Sequence, residues 1–159
     1  MDVVRLPDAE ACARRTAQLM AEAVDGGARH LALSGGSSPE RAYALLGPKV
    51  PDWSLVDLWY SDERCVRPDH EDSNHRMAFE ALQAPGAVWH RMEGELGPMD
   101  AARNYARELQ GIVPQPKRGH QGWRYLEEDG APTPGDVDES GVGMLPPRLY
   151  GKLNSLALL

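Results

Sequence analysis

The chain has 159 residues, and 17 Lys and Arg against 24 Asp and Glu give a formal charge of −7. That acidic balance argues against a duplex-binding surface, because phosphate backbones recruit basic patches, yet it leaves room for a small anion held by a few local donors. The length suits one domain, or one domain plus a tail.

No apolar run approaches the roughly 18 residues of a membrane span, and no basic segment leads into an apolar one. Cys12 and Cys65 show neither disulfide-framework nor metal-ligand spacing. A reducing, cytoplasmic setting is therefore expected, with no nucleic-acid or membrane partner and a monomer or weak homo-oligomer.

Asp8 to Val24 reads as a helix, capped by Asp8 and ended by Gly26-Gly27. Cys12, Thr16, Leu19, Met20, Ala23 and Val24 recur on one face, with Cys12 expected as a small core residue. His30 to Ser34 is short, apolar and bounded by breakers, the pattern of a buried strand. Gly35-Gly36-Ser37-Ser38 is a turn, and Pro39 opens a helix running to about Leu46.

After the Pro51-Asp52 turn signal, Leu55 to Tyr60 reads as a second strand. Ser73 caps a helix from Asn74 to Gln83, with Met77, Leu82 and either Phe79 or Ala78 facing inward. Val88 to Met92 is a short strand, and Asp100 to Leu109 is an alanine-rich helix. Strands alternating with helices predict an α/β fold, Rossmann-like, with a parallel sheet flanked by helices.

Near Gly111 the character changes. From Pro114 onward, prolines and glycines crowd the sequence, and the run from Glu127 to Glu139 is acidic and turn-rich. Residues 114–159 are expected to be an irregular tail beside an α/β domain over residues 1–113.

The strongest local signal is the run Ser34-Gly35-Gly36-Ser37-Ser38-Pro39 at the end of the first strand. Glycines let backbone N–H groups approach a ligand, hydroxyls add donors, and a helix start supplies partial positive charge. Together they suit a phosphate monoester; the plainer alternative is an ordinary strand-to-helix turn. The run is neither a P-loop nor the dinucleotide glycine pattern.

A second signal, Trp59-Tyr60-Ser61-Asp62-Glu63-Arg64, follows the second strand and projects to the same edge of a parallel sheet. Asp62 and Glu63 can accept protons or hydrogen bonds, and Arg64 can grip phosphate through two parallel N–H donors. A solvated charged turn is the alternative. His70 and His75, in a third polar run, stand among carboxylates at no recognised zinc spacing, so a helix-capping loop is expected and neither metal nor cofactor.

In this order, Ser34-Gly35-Gly36-Ser37-Ser38-Pro39, Trp59-Tyr60-Ser61-Asp62-Glu63-Arg64 and Asp72-Ser73-Asn74 resemble the 6-phosphogluconolactonase family. Met92-Glu93-Gly94-Glu95 and the helix around Ala101-Ala102-Arg103-Asn104-Tyr105-Ala106 fit the same scheme. The likeness covers about residues 1 to 113. It implies metal-free hydrolysis of 6-phospho-D-glucono-1,5-lactone to 6-phosphogluconate in the oxidative pentose phosphate pathway.

By the resemblance, Ser34, Gly35, Gly36, Ser37, Ser38 and Arg64 hold the phosphate, while Asp62 and Glu63 line the sugar pocket. The family's proposed base, a histidine in an Asp-Gly-His turn, has no match here. His120 follows Arg118-Gly119 and lacks that context. The resemblance thus implies a catalytic segment that is missing or shifted in reading frame, with a divergent natural tail as the alternative. Two other readings stay open: an amino-sugar-phosphate isomerase or deaminase, and a sugar-phosphate-binding protein without catalysis.

Overall fold

The computed structural model describes residues 5–112 and the short strand at 142–144. Helix α1 (Ala9–Asp25) starts at Asp8, whose carboxylate accepts from the Ala11 amide at 2.7 Å. Its buried stripe is Ala13, Ala17, Met20 and Val24, at four-three-four spacing. This stripe is offset from the expected one, and Cys12 is exposed rather than in the core. Small alanines on the inward face let α1 lie close against α2 (Ser37–Leu46).

Strands β1 (His30–Leu33), β2 (Asp57–Tyr60) and β4 (Val88–Trp89) form a parallel sheet in the order β1-β2-β4. His30 pairs with Asp57 and Leu33 with Tyr60, so β1 and β2 end level with one another. The expected α/β class with a parallel sheet flanked by helices is what the chain forms. Strand β4 stops at Trp89, short of the expected Met92.

Successive strand residues face opposite sides. Leu58 and Tyr60 of β2 face helix α3 (Asn74–Leu82), whose His75 meets the Tyr60 ring edge-on. Asp57 and Trp59 face helix α4 (Pro98–Ile112), where Tyr105 packs on Trp59. On α3 the inward positions are Ala78 and Leu82, while Phe79 is left exposed. Helices thus cover both faces, and Leu31, Leu33, Leu58, Trp59 and Tyr60 form the buried centre.

Two buried tyrosines pin the carboxyl ends of the strands. The Tyr43 hydroxyl accepts from the Ser34 amide at 2.8 Å and donates to the Ser34 carbonyl at 3.0 Å. The Tyr105 hydroxyl does the same to Tyr60, donating to its carbonyl at 3.0 Å. Burial pushes the Tyr43 phenol up to about 12, so it remains a protonated donor.

A feature absent from the expected elements is strand β3 (Asp62–Arg64), which pairs antiparallel with β5 (Val142–Met144). Asp62 stands opposite Met144 and Arg64 opposite Val142. Three residues of the stretch expected to be irregular therefore form a strand. The rest of residues 114–159, His120 included, lies outside the described residues.

Candidate functional site

The glycine-serine loop follows β1 directly. Gly36 has φ +103°, a left-handed conformation that side chains rarely adopt, and it caps α2. Helix α2 begins at Ser37, two residues before the expected Pro39, and its cap makes no side-chain hydrogen bond. Ser37 and Ser38 thus sit in a first turn that no side chain caps, where backbone N–H groups and the helix dipole favour an anion. Ser34 contributes differently, since Tyr43 already engages its amide and its hydroxyl meets Ser61 Oγ at 3.2 Å.

Strand β3 sorts the three charges of Asp62-Glu63-Arg64 by alternation. Asp62 and Arg64 point one way, and Glu63 points the other. The Asp62 carboxylate lies 3.0 Å from the Ser61 hydroxyl and 3.6 Å from Arg64 Nη1. Ser61 Oγ is in turn 3.2 Å from Ser34 Oγ, which joins the two strand ends.

Glu63 is only 4% exposed, and its carboxylate is consumed at the start of α3. It accepts from the amides of Asn74 (2.7 Å), His75 (2.8 Å) and Arg64 (2.8 Å), and from the Ser73 hydroxyl at 3.1 Å. A buried carboxylate at a helix N-terminus offsets the unpaired amides and the dipole there. The structure therefore turns Glu63 toward α3, away from the loop where it was expected to line a pocket.

Asn74 binds the pieces together. Its Nδ2 donates to the Asp62 carbonyl at 2.9 Å and to Asp62 Oδ2 at 3.0 Å. Its Oδ1 accepts from Arg64 Nη1. A Cβ at Gly35 would overlap the Asn74 carboxamide, so the loop backbone rests directly on it.

Residues 8–123 match the profile of the glucosamine-6-phosphate isomerase/6-phosphogluconolactonase family. The chain belongs to that family. A profile for proteins of unknown function (DUF1489) matches residues 90–159, overlapping the first. A 6-phosphogluconolactonase of Haemophilus influenzae is 31% identical over 94 residues, which are 54% of this chain and 40% of that protein.

The crystal structure of a 6-phosphogluconolactonase from Shewanella baltica is 33% identical, with a TM-score of 0.56 over 68% of this chain and 48% of that one. One from Thermotoga maritima shares the fold at 21% identity, with a TM-score of 0.63 over 88% of this chain and 75% of that one. The chain spans less than half the length of the curated lactonases it matches first.

Within this family member, the hydrogen-bond partners of each described histidine lie outside the glycine loop. His75 Nδ1 is 2.8 Å from the Tyr60 hydroxyl, and burial first, then Arg91, hold its pKa below the ordinary imidazole value. His90 lies between Asp57 and Glu108, at 2.7 and 2.6 Å, and stacks on Trp59. His30 accepts from the Trp59 indole at 3.3 Å. His70 caps its own loop at the Asp72 amide.

Among the described residues no cluster of His, Cys, Asp or Glu is arranged to hold a metal, and no helix is long and apolar enough to cross a membrane. Sequence reasoning gave no role to Asn74, Ser61 or Tyr43. Their parts depend on contacts between separate elements; the Asp72-Ser73-Asn74 and Trp59 to Arg64 runs pointed toward Asn74 and Ser61 without giving them roles, and nothing pointed toward Tyr43.

Proposed function

We propose that the chain binds the phosphate of 6-phospho-D-glucono-1,5-lactone and serves its hydrolysis to 6-phosphogluconate. The Gly35 to Ser38 backbone and the Arg64 guanidinium take the phosphate, and the Ser34 and Ser37 hydroxyls add donors. Asp62 is the carboxylate beside them, placed to accept from a sugar hydroxyl. Glu63 acts by holding α3 and so the Asn74 end of the site.

The observation that carries this reading is the junction of glycine loop, Asp62 and Arg64 around one buried amide at the carboxyl ends of parallel strands. Open α/β sheets bind ligands at that edge. The lactonase relatives favour the lactone over an amino sugar.

Opening the lactone requires water attack on its carbonyl, and a positioned base contributes about 10²–10⁴-fold. The described residues supply phosphate donors and a carboxylate, and none of the described imidazoles hydrogen-bonds to the loop. Purified chain, assayed after subtracting spontaneous hydrolysis, is expected to turn over the lactone at least about 10²-fold more slowly than a full-length relative. Residual turnover is expected to vanish in Arg64→Ala. Turnover indifferent to Arg64, or deamination of glucosamine 6-phosphate instead, would reject the reading.

A further inference from the structure

We infer that Asn74 is the positioning residue of this site: its buried carboxamide orients Arg64 beside the glycine loop and fixes Asp62, so phosphate affinity is set through it. The inference rests on the phosphate-binding reading above and names the residue that builds its geometry.

Asn74 is 3% exposed, so water does not compete for its polar atoms. Both Nδ2 protons have acceptors, the Asp62 carbonyl at 2.9 Å and Asp62 Oδ2 at 3.0 Å. Oδ1 receives Arg64 Nη1. A flipped amide would face its oxygen to two oxygens and its NH₂ to a guanidinium, so the network admits one orientation.

The residue is itself held. Its backbone amide donates to Glu63 Oε1 at 2.7 Å, and Ser73 caps the same turn of α3. The Gly35 backbone lies so close that no side chain fits between them. Without Asn74, the Arg64 side chain, itself 37% exposed, keeps only Asp62 Oδ2 at 3.6 Å as a guanidinium partner among the described residues. An arginine freed in this way loses the preorganisation that a phosphate clamp depends on.

The test uses the full chain, 6-phosphogluconate as the calorimetric probe, and NMR of the Arg64 guanidinium protons. Wild type is expected to show individually resolved Arg64 Nη protons without ligand. Asn74→Ala is expected to average them and to weaken 6-phosphogluconate roughly 10-fold or more, with far-ultraviolet dichroism unchanged.

Asn74→Asp keeps an acceptor for Arg64 but sets carboxylate against carboxylate at Asp62. Exchanging the pair, Asp62→Asn with Asn74→Asp, restores a donor and an acceptor between the two side chains, with the residue-62 carbonyl left facing a carboxylate oxygen. It is expected to recover Arg64 ordering relative to Asn74→Asp alone, and it decides the matter if Asn74→Ala fails to fold. Averaged Nη protons in wild type, wild-type affinity in Asn74→Ala, or no recovery on exchange would each overturn the inference. Ordered Arg64 protons in a wild type that ignores 6-phosphogluconate would instead reject the proposed function and leave the role of Asn74 standing.

Discussion

Gly35 shows how a single missing side chain shapes this site. The sequence marks it as part of a phosphate-type loop, and the structure adds that its α-carbon rests on the buried Asn74 amide. Gly35→Ala is expected to destabilise the chain by about 1–3 kcal/mol, the usual cost of overpacking, measured by urea unfolding. Full stability in that variant would show the loop free to move off Asn74.

His75 makes a pH prediction. Its pKa is held below the ordinary imidazole value of 6.5, chiefly by burial, and its Nδ1 lies 2.8 Å from the Tyr60 hydroxyl. The unfolded chain therefore takes a proton near its ordinary pKa that the folded chain refuses. The associated stability is present above about pH 6.5 and declines as pH falls through that value. Unfolding midpoints at about pH 7.5 and about pH 5 should converge in His75→Gln relative to wild type. An unchanged acid limb would count against a neutral His75.

At the scale of elements, the starts of α1 and α3 were legible because their capping chemistry is local, whereas α2 and α4 begin two residues ahead of the expected Pro39 and Asp100. Asp8 and Ser73 cap where side-chain oxygens ahead of apolar periodicity say they should. The three-residue strand β3 was not legible, since its partner β5 is about eighty residues away in the chain and no local pattern announces the pairing. That strand decides that Asp62 and Arg64 share a side while Glu63 serves α3, so the roles within Asp62-Glu63-Arg64 could not be separated beforehand. Cys12 was misplaced for a related reason: alanines at 13 and 17 carry the inward stripe, and a hydrophobicity pattern weights them lightly.

Helix α4 is held to the sheet by His90, which is 6% exposed and stands between Asp57 of β2 and Glu108 of α4. Removing the imidazole leaves two carboxylates facing a gap beside Trp59. His90→Ala is expected to cost about 1–3 kcal/mol, the usual penalty for leaving hydrogen-bonding partners unsatisfied, and to speed hydrogen exchange in α4 more than in α2. Equal protection of both helices would show α4 anchored by its apolar contacts alone.

At the scale of the molecule, the parallel sheet fixes where ligand groups gather. Strands β1 and β2 end in register, so the glycine loop and β3 leave the sheet side by side, and Ser61 reaches Ser34 across that seam. Alternating apolar strands and periodic helices made this architecture legible, and the motif order made the family legible. The junction through Asn74 was not, because it joins residues 35, 62, 64 and 74 only once the fold is formed. Membership of the glucosamine-6-phosphate isomerase/6-phosphogluconolactonase family and the geometry of the loop support one claim, that Arg64 and the glycine loop form a sugar-phosphate clamp.

Calorimetric titration of the purified chain with 6-phosphogluconate tests that claim most directly, with Arg64→Ala titrated alongside. A charge-assisted, potentially bidentate contact is worth about 1.5–3 kcal/mol, so the variant is expected to bind at least roughly 10-fold more weakly than wild type. Equal affinity in the two proteins, or no binding to either, would contradict it.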